Sequence, residues 1–219
     1  MGRRHDRRPQ WKGASVIVHT MLQRSDEWYA IRRGKITGSE VGKFVINSDK
    51  KALDARQNLI DAKIGEEADG EDCPPNWEDF WMKRGTRLEG DALSAYESYT
   101  GYEVEKVGFV SHDIMPLGVS PDALVANRSF GLEMKCPSGK VQVKRLREKV
   151  CPEEYLPQIW LSMIVMNVDQ WHFWSYHPAL PAFHINVTRA DIPKEFEPGV
   201  NALVAEYLRQ RAWLESLNS

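Results

Sequence analysis

The chain has 219 residues, 42% hydrophobic and 27% charged, with a net charge of −2. That composition suits one folded domain with a full core and excludes a disordered or fibrous polymer. No apolar run approaches the roughly 20 residues of a membrane helix, and Cys73, Cys136 and Cys151 lack C-x-x-C spacing, so neither a disulfide scaffold nor a zinc ribbon is expected.

The start, "MGRRHDRRPQWKG", lacks the apolar core of a signal peptide. It reads as a basic disordered tail over residues 1–13, ahead of a single domain over 14–219 in a cytoplasmic protein. "SDEWYAIRRG" predicts a short helix, with Ser25 as cap, early acids, late arginines and a terminal Gly. In "TGSEVGKFV", Thr37 precedes Glu40 by three residues, the capping-box spacing, so a second helix is expected to start there. "KKALDARQNLIDAKIG" predicts a third, closed by Gly65. An acidic stretch follows, "EEADGEDCPPNWED", with seven acids and no base, and Asn76 can cap a short "WEDFWMKRG" segment. "TRLEGDALSAYESYTG" then spaces Leu88, Ala92, Tyr96 and Tyr99 as one face of an amphipathic helix stopped by Gly101.

Strands are expected at "EVEKVGFV", at "GVSPDALVANRSFGLEMKCP", and at "QWHFWSYHP" and "AFHINVT". Between them "GKVQVKRLREK" is strongly basic and "EEYLPQIWLSMIVMN" reads as a mostly buried helix. "NALVAEYLRQRAWLESL" closes the chain as an amphipathic one. Helices, then strands with a helix crossing between them, then a closing helix predict an α/β or mixed α+β domain: a central mixed β-sheet flanked by helices. The histidines show no paired-ligand spacing and three lie in aromatic strands, so packing is the expected role, as it is for the aromatic residues of "WHFWSYH".

The stretch Gly118–Pro137 places charges where a sheet normally buries an apolar face. Alternation puts Glu133 and Lys135 on one side and Leu132 and Met134 on the other. A two-residue loop at Asn127-Arg128 sets Asp122 opposite Glu133; a four-residue loop, Asn127 to Phe130, sets it opposite Lys135. Either way three charges share a face. Two adjacent carboxylates resist ionising together unless a cation is present, and hard divalent ions take carboxylate oxygens. One reading is therefore a metal site for phosphodiester chemistry, with Lys135 holding a water or offsetting charge on a phosphate. The other is a surface hairpin with an exposed ion pair.

The wider order is a helix with Glu89, strands, P-D, a turn, E-x-K, and a long helix with Gln158 near its start. It resembles the PD-(D/E)xK nuclease superfamily, with its restriction-endonuclease-like core, and more closely the phage lambda exonuclease family of YqaJ-type viral recombinases. The blocks are "EWYAIRRGKITGSEV", "RGTRLEGDA", "SPDALV", "GLEMKCP" and "YLPQIWLSM", spread from Trp28 to His177.

The resemblance implies roles. Asp122, Glu133 and the Met134 backbone carbonyl would bind divalent metal, and Glu89 would serve a second position, for two Mg²⁺ ions with Mn²⁺ as a substitute. Read alone, Glu89 is an exposed helix residue. Lys135 would orient the attacking water, assisted by Gln158, although Pro157 beside it kinks a helix interior. Arg32, Ser39 and Ser120 would hold a 5′-phosphate. For Arg32 a solvated helix end, and for Ser39 ordinary capping, are the plain alternatives. A helix N-terminus at Thr37 would add an anion site. Lys140, Lys144 and Arg147 suit contact with the DNA backbone. The family implies a homotrimeric ring acting 5′→3′ on double-stranded DNA ends inside a bacterial host, phage- or prophage-encoded. It would release 5′-mononucleotides and leave 3′ tails for a single-strand annealing protein, with no membrane involved. A restriction- or repair-type endonuclease and a non-catalytic DNA-end-binding scaffold are the competing readings.

Overall fold

The structure, a computed structural model, describes residues 15–70 and 80–217. The expected tail over 1–13, the Asn76 cap and most of the acidic stretch lie outside these. In chain order the elements are β1 (Val16–His19), α1 (Asp26–Arg32), β2 (Ile36–Thr37), α2 (Lys50–Asp69), α3 (Phe80–Thr100), β3 (Val104–Glu105), β4 (Phe109–His112), β5 (Leu117–Val119), β6 (Ala123–Val125) and β7 (Gly131–Lys135). They continue with α4 (Gly139–Glu148), α5 (Leu156–Met166), β8 (Gln170–His177), β9 (Leu180–Thr188) and α6 (Phe196–Leu217).

The strands form two mixed sheets, in the orders β1-β4-β5-β2 and β3-β6-β7-β8-β9. β7 and β8 are parallel neighbours. A parallel pair needs a long crossover, and α4 and α5 supply it. α5 is buried from Pro157 through Val165 apart from Gln158, between the sheets and the Phe196, Val200 and Val204 face of α6. On the other side of the five-stranded sheet, α3 sets Ala92, Leu93 and Tyr96 against Leu132, Met134 and Trp174. Among the described residues, no helix is long and apolar enough to cross a membrane.

Three local expectations are corrected. Thr37 does not open a helix; it ends β2, paired in parallel with β5, and only one turn of 3-10 helix follows at Lys43–Val45. Gly65 does not close α2, which runs on to Asp69 and stops at Gly70, where φ is +57°. "WEDFWMKRG" and "TRLEGDALSAYESYTG" are not separate elements: α3 passes through Gly85 as a single helix and ends at Gly101, where φ is +75°. Glycine stops a helix where the left-handed region is required. Gly65 and Gly85 are ordinary helical positions with open space around them. The basic segment forms the helix α4.

Trp171, Phe173 and Trp174 are fully buried, and His172 of β8 packs with His184 of β9. Tyr96 Oη lies 2.6 Å from His172 Nδ1, and the His172 and His184 rings are 4.4 Å apart. Burial, with His184 adding to it, lowers His172 from 6.5 to about 4. The unfolded chain therefore takes up this proton first. Stability is full above about pH 6.5 and is lost as pH falls from there toward 4. The thermal midpoint is expected to drop over that window, and His172→Gln should flatten the drop when both proteins are melted at half-unit pH steps.

Candidate active site

The β6–β7 hairpin pairs Ala123 with Leu132 and Leu124 with Gly131. Asp122 N–H donates to the Leu132 carbonyl at 3.1 Å, so Asp122 stands across from Glu133, the arrangement of the two-residue-loop register. The connection closes through Arg128 N–H on the Val125 carbonyl, with Arg128 at φ +55°. Leu132 and Met134 join the α3 side of the sheet. Glu133 and Lys135 therefore share the opposite face.

On that face the polar groups converge. The Met134 N–H donates to Asp122 Oδ2 at 2.5 Å. The Lys135 ammonium bonds Glu133 Oε1, and Gln158 Nε2 donates to Glu133 Oε2 at 2.7 Å. Glu133 is only 1% exposed. Burial, and then the charge of Glu133, push Asp122 up to about 7, while Lys135 and the Met134 N–H pull the other way. Burial pulls the Lys135 ammonium down, but Glu133 and Asp122 more than offset it and raise it overall.

Two carboxylates held this close favour a cation between them. The donors are hard oxygens suited to Mg²⁺ or Mn²⁺, so Asp122 and Glu133 fit a divalent ion. Glu89 Oε1 is 2.8 Å from Lys106 Nζ, and its charge adds a further, smaller upward push on Asp122. Among the described residues, no three His, Cys, Asp or Glu side chains gather into a metal-holding group.

Pro157 does not displace Gln158. It falls in the first turn of α5, where its missing N–H costs nothing. Gly38 lies close by: a Cβ there would sit 3.3 Å from Gln158 Cγ and 3.5 Å from Val119 Cγ1. The turn after β2 and the start of α5 thus approach at a residue without a side chain.

That turn belongs to a second cluster. Arg32, at the end of α1, lies over the Trp28 ring at 4.0 Å. Its Nη1 donates to Ser120 Oγ at 2.9 Å and its Nη2 to Thr37 Oγ1 at 3.2 Å. Trp28 Nε1 lies 3.2 Å from the same Ser120 hydroxyl, and Ser39 Oγ is 3.4 Å from Thr37 Oγ1. Burial lowers Arg32, partly offset by Glu40 and Glu66. Arg32, Ser39 and Ser120 are therefore brought together, with Thr37 between them. Ser120 is two residues before Asp122, so the clusters meet along one short stretch of chain.

Behind Thr37 stands a support of which the sequence suggested Glu40 but not Lys63. Glu40 Oε2 accepts from the Thr37 N–H at 2.9 Å and from its hydroxyl at 2.7 Å. Glu40 Oε1 pairs with Lys63 Nζ at 2.5 Å, and Lys63 also meets Glu66 at 2.8 Å. Lys63 is 3% exposed. The T-x-x-E spacing thus signalled a real contact, used at a strand end rather than at a helix start.

α4 is two-faced. Lys140, Lys144 and Arg147 are exposed, whereas Gln142 and Arg145 are buried. The three candidate DNA contacts share a solvated helix surface about 10 residues beyond the acids in sequence.

Residues 27–169 match the model of the YqaJ-like viral recombinase domain. Among solved structures the chain is similar to an alkaline exonuclease from Laribacter hongkongensis, LHK-Exo. The TM-score is 0.74 at 28% identity, over 89% of this chain and 98% of that one. The complex of LHK-Exo with dAMP gives 0.74 at 29% identity, with the same coverage. A phage-related exonuclease from Haemophilus somnus shares the fold, with TM-score 0.55 at 15% identity over 84% of this chain and 96% of that one. No curated protein matches the chain.

Lys63 supplies the counter-charge for two partly buried carboxylates. Lys63→Met should cost about 3 kcal/mol, the lower end for breaking a buried pair, read as a lower midpoint in urea denaturation followed by tryptophan fluorescence.

Proposed function

The chain belongs to the YqaJ-like viral recombinase domain family, and from that premise we propose that it is a metal-dependent 5′→3′ exonuclease. It would digest one strand of linear double-stranded DNA to 5′-mononucleotides and leave a 3′ single-stranded tail. Family and exonuclease neighbours make it a nuclease; direction, strand choice and product are the finer reading. The observation that supports that reading is the junction of two clusters, an acid–lysine–glutamine group and an arginine–serine group, linked by Ser120-Pro121-Asp122. Two residue steps span at most about 7 Å, the scale of one nucleotide. A chain that grips a terminal phosphate at one cluster would thus present the next phosphodiester to the other. A solved neighbour at 29% identity binds dAMP, a nucleotide of the product class.

Asp122, Glu133 and the Met134 carbonyl would hold one Mg²⁺ and Glu89 would serve a second, with Mn²⁺ as substitute. When bound, the ions supply positive charge that eases deprotonation of water and offsets charge on the leaving oxygen. Lys135 would orient the attacking water and stabilise charge on the phosphate. Gln158, already on Glu133 Oε2, would fix the angle of that carboxylate. Arg32 would present a guanidinium fork to the 5′-phosphate, with Ser120 and Ser39 as hydroxyl donors. Lys140, Lys144 and Arg147 would contact the DNA backbone. The expected setting is a homotrimeric ring in the bacterial cytoplasm, phage- or prophage-encoded, handing its 3′ tail to a single-strand annealing protein.

The test is linear duplex with one 5′-phosphate and one 5′-hydroxyl end, beside a closed circle. With Mg²⁺, loss of the phosphorylated strand to mononucleotides and an intact circle is expected. EDTA or Asp122→Ala should abolish it. A cut circle would replace this reading with an endonuclease, and chelator-resistant binding without hydrolysis would leave an end-binding scaffold. Arg32→Ala should lower the preference for the phosphorylated end by about 10- to 100-fold, the worth of hydrogen bonds to a charged group, measured as the ratio of initial rates on the two ends.

A further inference from the structure

Arg145 points inward from α4 and is 4% exposed. Its Nη1 donates to Ser175 Oγ at 2.8 Å and its Nη2 to Tyr155 Oη at 3.1 Å. Its Nε is buried with no hydrogen-bond partner, and among the described residues no carboxylate pairs with it. A guanidinium withdrawn from water onto two neutral acceptors is costly to bury, so something must follow from its position.

What it holds is an aromatic platform. The Arg145 guanidinium lies 5.3 Å from the Tyr155 ring and 5.4 Å from that of Phe173, and these two rings stack at 5.5 Å and 21°. Lys135 Nζ lies 5.1 Å from the same Tyr155 ring. The register explains the meeting: Lys135 is paired with Ser175, and Glu133 with Phe173. Gln142 closes the support. It accepts from Ser175 Oγ at 2.6 Å while its Nε2 donates to the Ser175 and Pro181 carbonyls at 3.1 and 2.7 Å. From the inner face of α4 to the Lys135 ammonium, each group is held by the next.

Lys135 has a flexible stem, and its other hold is Glu133, a carboxylate that a bound cation would also claim. We propose that Tyr155 is a positioning residue: its ring face, fixed by Arg145, keeps the Lys135 ammonium aimed across the acids by cation–π attraction. The proposal rests on the reading of Lys135 as the lysine of the reaction. It also gives α4 two tasks, an outer face of Lys140, Lys144 and Arg147 and an inner face that steadies the chemistry.

The experiment is a double-mutant cycle on the full chain. In single-turnover digestion at saturating DNA with Mg²⁺, Tyr155→Leu should lower the rate by about 10- to 100-fold without raising the DNA concentration needed for saturation. Tyr155→Phe, which keeps the ring, should recover most of the loss. In a Lys135→Met background, Tyr155→Leu should add nothing. Metal-free urea denaturation supplies a readout apart from activity: the unfolding constants of the two single variants and the double should couple by about fivefold. Arg145→Met repeats both measurements if Tyr155→Leu does not fold. Losses that multiply in the Lys135→Met background, or unfolding constants that do not couple, would overturn the proposal. Equal rates for wild type and Lys135→Met would instead remove the functional reading of Lys135, with the unfolding cycle still deciding whether the ring holds the ammonium.

Discussion

Two carboxylates facing each other across a hairpin repel, and much of this molecule is arranged around keeping Asp122 and Glu133 where they do so. The pairing is set by register, and a slip of one residue along β7 would turn Glu133 and Lys135 toward α3 and bring Leu132 and Met134 into the site. Position in the sheet guards against that slip. β7 is an interior strand with antiparallel β6 on one side and parallel β8 on the other. Gly131 adds a steric stop, because a Cβ there would lie 2.3 Å from Trp171 Cη2, inside a fully buried indole. The charge conflict is thus contained by a sheet that has no room to move.

The neutralising groups come from outside the hairpin as well as within it. Lys135 is local, but Gln158 arrives on α5 and Tyr155 caps the same helix. α5 lies in the crossover that makes β7 and β8 parallel, so the handedness of a buried crossover is also what delivers an amide to Glu133. The second cluster is built the same way. Arg32 ends one helix, Ser120 follows β5, and Glu40 links Thr37 to Lys63 on α2. Charges alternate through this region, from guanidinium to carboxylate to buried ammonium to carboxylate, which lets a cation remain inside the protein without a large net field.

Local chemistry was legible wherever a residue's task was set by its neighbours in sequence. Ser25 caps α1 by accepting from the Trp28 N–H, as its place before two acids suggested, and alternation alone separated Glu133 and Lys135 from Leu132 and Met134. Long-range partners were not legible. The Thr37–Glu40 spacing looked like a helix start because that pattern depends on two side chains reaching back and forth within one turn. Here Thr37 is committed to β2, and its hydroxyl donates to Glu40 instead of accepting from it. Arg145 was one cation among several in a basic run; only the fold of α4 onto β8 and β9 separates it from Lys144 and Arg147. Lys63 carried only the weak signal of a helical neighbour, Glu66 three residues on; its other acid, Glu40, meets it only when α2 packs beside the turn after β2.

Arg32 illustrates a less visible consequence of such crowding. Its guanidinium already rests on an indole and donates to two hydroxyls before any ligand is considered. The rotamer freedom of a long arginine, worth up to about 2 kcal/mol, is therefore given up during folding and not during encounter. An anion arriving there would exchange hydroxyl acceptors for its own oxygens, with little side-chain motion left to freeze. Recognition by a preorganised group of this kind is an exchange of hydrogen bonds, and its thermodynamic signature lies in enthalpy.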